Sequence, residues 1–158
     1  MPHRFTQTRR VEFAETDMAG IMHFANFFRY MEETEHAFYR SLGLTVQPAI
    51  DGSGEKEANP GVGWPRVSAA CDFKLPLRFE EEVKIELLVE EIRRKAVRYR
   101  FRFWKDAEGA RALAATGRIT VVSVKMDRKK GGMKAVSIPD EFRKVVSEAP
   151  REELEATE

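Results

Sequence analysis

The sequence predicts an α+β fold in which an antiparallel sheet curls around one long helix, with a short helix near the C-terminus. Apolar residues recur at spacings of three, four and seven in one segment of the first third of the chain, which is typical of a helix with one buried face. Apolar and polar residues alternate in three later segments, which is typical of strands with one buried face. Because the sheet offers the only large apolar surface, we expect the helix to pack on it.

The first elements are expected to be a strand, a turn and the long helix. The strand is predicted to end at 11–13, where apolar and charged residues alternate, and a turn-prone segment leads to Gly20. The apolar spacing predicts the helix over 24–42, and Gly43 follows it in the position that commonly ends a helix. Residues 47–65 are rich in Pro and Gly, which predicts a loop.

The second half is predicted to be mostly sheet. A strand at 67–73 is followed by three alternating strands around 83–89, 97–103 and 119–121, and short connections predict a four-strand antiparallel meander. The arginines at 98, 100 and 102 are expected on the outer face, paired with acidic residues such as Glu86 and Glu90 on the next strand. A basic loop is predicted at 125–132 and a short helix at 140–146.

Length and composition exclude several kinds of protein. The chain has 158 residues, which suits one domain, placed here at 1–147, with an acidic and frayed tail at 148–158. A net charge of +1 argues against a nucleic-acid partner, while one cysteine and three histidines give no metal-site pattern. The N-terminus has no apolar signal region, and no apolar run approaches the roughly 20 residues of a membrane span. We therefore expect a cytoplasmic protein without a metal.

The segment between the first strand and the helix is where chemistry is predicted. Asp17 presents a carboxylate in the turn, and the helix start presents unpaired N–H groups at the positive end of the helix dipole. A carbonyl oxygen bound there would be stabilised as an oxyanion, while the carboxylate could attack the carbonyl or activate water. The alternative is purely structural, because an aspartate near glycine commonly forms an Asx turn.

Residues 11–32, VEFAETDMAGIMHFANFFRYME, resemble the first strand, turn and helix of the hotdog-fold acyl-CoA thioesterases. The similarity is to the branch of the 4-hydroxybenzoyl-CoA thioesterases, and weaker likenesses at 73–83 and 138–143 extend it from about residue 5 to 146. The resemblance implies a hotdog fold and hydrolysis of a short-chain or aromatic acyl-CoA to free acid and coenzyme A. It also implies a homodimer, or a homotetramer of two dimers, with the site where two sheets join edge to edge, and no cofactor besides the coenzyme A of the substrate.

The same resemblance assigns roles to the turn and the helix start. Asp17 would be the nucleophile or general base, and the backbone N–H of Phe24 would polarise the thioester carbonyl. His23 stands where relatives often carry Tyr, Trp or Asn, and it either lines the pocket or aids proton transfer. The remaining substrate-binding residues would be Gly20, which permits the tight turn, together with Ile21, Asn26 and Phe27.

Two basic clusters are candidates for binding the phosphates of coenzyme A, because a multiply charged phosphate group needs cationic donors. They are Arg93, Arg94 and Lys95 in a predicted hairpin turn, and Arg128 and Lys129 in the basic loop. Two other functions stay open at this point. The chain could act on acyl groups carried by an acidic carrier protein, or it could bind acyl-CoA without catalysis.

Overall fold

The computed structural model describes residues 1–46, 62–127 and 130–156, and within them one antiparallel sheet packs on one long helix. The helix α1 spans Ala25–Ser41. The sheet has the spatial order β1-β3-β4-β5-β2. Its strands are β1 (Arg4–Arg10), β2 (Arg66–Phe73), β3 (Glu82–Ile92), β4 (Ala96–Ala107) and β5 (Ala110–Val122). The predicted fold class is confirmed.

The long helix lies where its apolar spacing predicts it. Phe27, Met31 and Phe38 are buried on its inner face, because residues three and four apart project from the same side of a helix. The chain leaves the helix at Gly43, whose φ of +72° is a conformation that glycine adopts with little strain. Helix and sheet approach closely at Gly117, because a Cβ atom there would stand 2.2 Å from the sulfur of Met31.

Strand pairing differs from the predicted meander in one respect. Only β3, β4 and β5 follow one another as neighbours, whereas β2 pairs with β5 and forms an exposed edge of the sheet. The prediction failed because alternation reports which face of a strand is buried but not which strand lies beside it. The first strand also ends earlier than expected, at Arg10, and residues Phe13–Glu15 form a turn of 3-10 helix.

The C-terminal third is more ordered than the sequence suggested. The predicted basic loop contains parts of two paired strands, β6 (Val124–Asp127) and β7 (Gly132–Ala135). The candidate residues Arg128 and Lys129 lie outside the described ranges. The short helix α2 spans Asp140–Arg143, and a further helix α3 spans Arg151–Glu155. Most of the predicted loop at 47–65 also lies outside those ranges.

The expectation of a frayed tail is wrong. Arg100 and Arg102 donate hydrogen bonds to the carbonyl of Leu154 at 2.6 and 2.8 Å, which holds α3 on the outer face of the sheet. The prediction rested on the acidic and apolar-poor composition of the tail. Its backbone carbonyls nevertheless accept hydrogen bonds from these arginines. His3, the residue before β1, is bonded to Glu153 at 3.1 Å and helps to hold the same segment.

The outer face of the sheet carries the predicted ion pairs. Glu86 lies 3.6 Å from Arg102, and Glu90 bonds Arg100 at 2.7 Å and Arg118 at 2.9 Å. Trp104 lies on this same outer face, where its indole N–H donates to Glu86. The arginines at 98, 100 and 102 therefore balance acidic neighbours, as expected for a charged sheet surface.

An aromatic cluster closes the end of the core next to α2. The ring of Trp64 packs against Tyr39 and Phe142 with centroid separations of 6.0 and 5.3 Å. The hydroxyls of Tyr39 and Tyr99 lie 3.1 Å apart inside the core, so these two buried polar groups satisfy each other. No helix among the described residues is long and apolar enough to cross a membrane.

Candidate active site

A small hairpin between β1 and α1 presents the predicted catalytic carboxylate. Thr16 bridges to Met22 across it, and Asp17 donates its N–H to the carbonyl of Ile21 at 2.9 Å. Gly20 closes the turn by donating to the Asp17 carbonyl at 3.0 Å, with a φ of +77° that favours glycine. Met22 in turn donates to the carbonyl of Leu77, so the hairpin is fixed to the segment after β2.

The Asp17 side chain is exposed and forms the turn that was considered as its structural role. Its Oδ1 accepts the Ala19 N–H at 2.8 Å, which is the expected Asx turn. Its Oδ2 has no hydrogen-bond partner in the part of the chain that the structure describes. The turn therefore holds the carboxylate in place and leaves one oxygen available to react.

Glu15 joins the hairpin to the helix, a role that the sequence did not reveal. Its carboxylate accepts the Tyr30 hydroxyl at 2.5 Å and the Glu12 N–H at 2.9 Å. Burial and this carboxylate raise the pKa of Tyr30 well above its ordinary value. The backbone carbonyl of Glu15 accepts the side-chain amide of Asn26 at 2.9 Å. Asn26 thus supports the local structure while also facing an open groove beside Asp17.

Backbone donors at the helix start are nearly all satisfied. The Asn26 N–H donates to the carbonyl of His23 at 3.0 Å, and the Phe27 N–H donates to the carbonyl of Phe24 at 3.2 Å. The Ala25 N–H donates to the ring nitrogen Nδ1 of His23 at 3.2 Å. Of the four backbone N–H groups at residues 24–27, only that of Phe24 has no hydrogen-bond partner in the described part of the chain. It is the donor that the family resemblance assigned to the thioester carbonyl.

Asp17 and Phe24 line one cleft of about 530 Å³. Phe27 forms part of its wall and packs edge-on against Phe73 and Phe103, with centroids 4.9 and 5.2 Å apart. Phe27 thus belongs to the core and to the cleft at once. The other residues that line the cleft are Ile21, Met22, Phe73, Lys74, Leu75, Pro76 and Leu77.

The wall formed by 73–77 was missed as part of the site, because nothing in the sequence pairs it with the turn 50 or more residues earlier. The Met22 N–H donates to the Leu77 carbonyl. This bond between two irregular segments shows that the wall and the turn lie side by side. On the other side of Asp17 lies a second, more open groove that contains Gly20, His23 and Asn26. Asp17 stands between the two hollows.

The first predicted phosphate-binding cluster, Arg93, Arg94 and Lys95, is not brought to the cleft within one chain. Arg93, Arg94 and Lys95 form the turn between β3 and β4, at the opposite end of β3 from the cleft. The 11 residues of that strand span roughly 35 Å. Arg93 is bonded to Glu91 at 2.9 Å, and Arg94 donates to the hydroxyl of Ser137 at 3.3 Å.

A buried carboxylate on the helix was not predicted. Glu35 is 1% exposed, and its Oε2 accepts a hydrogen bond from Arg66 at 2.8 Å. Burial raises the pKa of Glu35 from 4.5 to about 7, although Arg66 acts in the opposite direction. The signal was present in the sequence, since position 35 shares the buried helix face with Met31 and Phe38 and so places a charge within an apolar stripe.

Cys71 is the remaining side chain with reactive chemistry. It is half-buried in β2, and burial raises the pKa of its thiol to about 12. A thiol of that kind is protonated near neutral pH and is a poor nucleophile. The thiol is partly exposed on the edge strand of the sheet.

Comparison with known proteins identifies the chain as a thioester hydrolase. A family model for the thioesterase-like superfamily matches residues 11–146. The chain belongs to this superfamily, and its fold is the hotdog fold expected from residues 11–32.

Two curated relatives and two solved structures illustrate the similarity. A provisionally named esterase of Aquifex aeolicus is 33% identical over 144 residues, covering 91% of this chain and 98% of the relative. A 1,4-dihydroxy-2-naphthoyl-CoA hydrolase of Prochlorococcus marinus is 31% identical over 103 residues, covering 65% and 68%. A gentisyl-coenzyme A thioesterase superposes with a TM-score of 0.71 at 28% identity, covering 89% and 98%. The 4-hydroxybenzoyl-CoA thioesterase of Pseudomonas sp. strain CBS-3 has a TM-score of 0.76 at 23% identity, covering 91% and 99%, and supports the fold alone.

Proposed function

We propose that this chain hydrolyses an acyl-CoA to a free acid and coenzyme A in the cleft beside Asp17. The observation that carries the proposal is that one cleft is lined by Asp17, which carries the carboxylate, and by Phe24, whose backbone N–H is unpartnered in the described part of the chain. These two groups can together promote thioester hydrolysis. The carboxylate drives the attack, and the N–H stabilises the carbonyl oxygen as it becomes negative.

Two routes are compatible with a single carboxylate. As a nucleophile, Asp17 bonds to the carbonyl carbon, the C–S bond breaks, and the thiolate of coenzyme A leaves and takes up a proton; water then hydrolyses the resulting anhydride. As a general base, Asp17 accepts a proton from the water that attacks, the same C–S bond breaks, and the departing thiolate of coenzyme A takes up that proton. Because Oδ1 already accepts the Ala19 N–H, Oδ2 is the proposed reacting atom in both routes.

The proposed acyl group is aromatic or short. Phe24, Phe27 and Phe73 line the cleft, whose volume of about 530 Å³ suits a ring held by aromatic contacts. The relatives named for 1,4-dihydroxy-2-naphthoyl-CoA and gentisyl-CoA carry aromatic acyl groups in those names, which supports the same choice.

The proposed functional unit is a homodimer, alone or within a homotetramer, joined through β2. This edge strand exposes Val67 and Phe73, and an unpaired sheet edge readily pairs with another strand. A two-fold axis perpendicular to the sheet would pair the two β2 strands antiparallel. Arg66 and Val97 both lie beside Val121, so the start of β2 and the 93–95 turn share one end of the sheet. The dimer would therefore bring the 93–95 turn of the partner subunit toward the cleft, where it could bind coenzyme A phosphates.

The experiment is a thiol-release assay over aromatic and aliphatic acyl-CoAs with wild type, Asp17→Asn and Asp106→Asn. We expect Asp17→Asn to lose at least about 100-fold in kcat with its circular dichroism unchanged. Asp106 is the matched control, because it makes the same kind of turn bond, accepting the Gly109 N–H at 2.8 Å, outside the cleft. Full activity of Asp17→Asn would refute the mechanism.

The same assay separates the two alternatives. Turnover of acyl carrier protein substrates that weakens with salt, with little turnover of coenzyme A esters, would identify a carrier-protein enzyme. Lys125 and Lys134 lie directly opposite each other in the β6–β7 hairpin, and such a basic surface would suit an acidic carrier. Saturable acyl-CoA binding without thiol release would identify a non-catalytic binding module.

A further inference from the structure

The helix start has an unusual cap. Phe24 occupies the N-cap position, its side chain accepts no hydrogen bond, and its backbone is already helical at φ −54° and ψ −33°. The side chains of Ser, Thr, Asp and Asn are the usual acceptors for the free N–H groups at such a place. Here the acceptor is Nδ1 of His23, which accepts the N–H of Ala25 at 3.2 Å.

This bond defines the protonation state of the His23 ring. A ring nitrogen that accepts an N–H carries no proton, so the ring is neutral in this arrangement and its proton lies on Nε2. Protonation would turn Nδ1 into a donor that faces the Ala25 N–H, which is also a donor. It would also add a positive charge at the positive end of the helix dipole. Both effects would break the cap.

His23 is held from several directions at once. Its N–H donates to the Glu15 carbonyl at 2.8 Å, and its own carbonyl accepts the Asn26 N–H at 3.0 Å. Its ring lies against the ring of Phe24 with centroids 4.5 Å apart. By accepting both the Ala25 and the Asn26 N–H, His23 leaves the Phe24 N–H as the free donor at the helix start.

We propose that His23 is a positioning residue that acts as a neutral helix cap and so holds the Phe24 N–H in place for the thioester oxygen. The kinetic part of this inference rests on the proposed thioesterase function, whereas the cap itself does not. Asp17 is the other titratable side chain lining the groove that contains His23. The Glu15 carboxylate is directed away from the ring, toward the hydroxyl of Tyr30.

The kinetic test compares His23→Ala with His23→Asn. An Asn at this position can accept the N–H two residues later through its side chain, as in an Asx turn, and Ala cannot. We expect His23→Ala to lose about tenfold in kcat with KM nearly unchanged, because the lost contact acts on the transition state. We expect His23→Asn to recover most of this loss.

A matched control keeps the comparison specific to the helix start. His3→Ala replaces a histidine that is bonded to Glu153 on α3 and lies outside the cleft. We expect His3→Ala to keep the wild-type kcat.

Long-range ¹H–¹⁵N NMR of the His23 ring in the wild-type protein gives a readout that needs no turnover. We expect a neutral ring with its proton on Nε2 at neutral to alkaline pH, and an Ala25 amide signal that moves as the ring becomes protonated. A proton on Nδ1, wild-type kcat in His23→Ala, or failure of His23→Asn to recover activity would each overturn the proposal. If wild type releases no thiol from any substrate, the proposed function fails, and the NMR result still decides whether the cap exists.

Discussion

At the scale of single residues, the position of the Asp17 carboxylate depends on the backbone conformation of Gly20. The φ of this glycine is +77°, and nothing lies within 4 Å of the place that a Cβ atom would occupy. A side chain there would cause conformational strain without a steric clash. Gly43 has the same properties, with a φ of +72° and open surroundings, but it lies at the far end of α1.

This similarity makes Gly20→Ala and Gly43→Ala a matched pair. We expect each variant to lose about 1 kcal/mol of unfolding free energy in urea denaturation, because both force a Cβ into the left-handed region. We expect only Gly20→Ala to lose kcat/KM in the thiol-release assay, because relaxation of its turn displaces Asp17. Equal losses of kcat/KM in the two variants would show that the Gly20 turn has no special part in activity.

Residues whose contacts are local could be predicted from the sequence. Asp17, Gly20 and Phe24 lie within eight positions, so a turn signal next to a helix start was sufficient to place them together. The partner of Glu35 could not be predicted in the same way. Its partner Arg66 is 31 positions away, and only the folded chain shows that the two meet.

At the scale of secondary-structure elements, the contact between Glu35 and Arg66 links α1 to the edge strand β2. Burial raises the pKa of Glu35 from 4.5 to about 7, so the folded state binds a proton that the unfolded state releases between these two values. The proton on Glu35 therefore stabilises the folded state. This contribution to the unfolding free energy is fully present below pH 4.5 and is lost as the pH rises through 7.

We expect Glu35→Gln to remove this pH dependence. Between pH 4.5 and 7 the unfolding free energy of wild type should fall by roughly 2–3 kcal/mol more than that of the variant, measured by urea denaturation. Glu32→Gln is the control, because Glu32 lies on the same helix, 3.7 Å from the same Arg66, but is 52% exposed. If the unfolding free energy of Glu35→Gln fell with pH as steeply as that of wild type, another group would be responsible for the pH dependence.

Element positions followed from the sequence more closely than element pairing did. The period of two in β3 and β4 and the apolar spacing in α1 come from burial on one face, which each segment records in its own residues. The pairing of β2 with β5, and the docking of α3 on Arg100 and Arg102, depend on partners distant in the chain. Local periodicity contains no information about such partners.

At the scale of the whole molecule, the exposed edge strand carries the prediction about assembly. We expect wild type to sediment as a dimer or a tetramer, and we expect Val67→Lys to sediment as a smaller species. A charge on an edge strand opposes pairing with a second sheet, and Val67 is 62% exposed. The loss of assembly should lower kcat/KM, because the proposed phosphate-binding turn comes from the partner subunit.

Met133→Lys is the control for this experiment, because Met133 is 61% exposed on β7 and lies away from the edge strand. It should keep the wild-type oligomeric state and activity. A monomeric wild type with full activity, or a Val67→Lys variant that still assembles, would contradict the proposed dimer.

The two tryptophans lie on opposite sides of the sheet, which has a spectroscopic consequence. Trp64 is enclosed by Tyr39 and Phe142 beneath the sheet, whereas Trp104 lies on the outer face under the guanidinium of Arg111, 3.7 Å from its ring centroid. Replacing either one with phenylalanine leaves a single tryptophan whose emission can be followed. Emission from Trp64 would then report on loosening of the aromatic cluster beside α2, and emission from Trp104 on loosening of the ion-paired outer surface. Comparing the two emission changes during unfolding would show whether the aromatic cluster and the outer surface loosen together or in sequence.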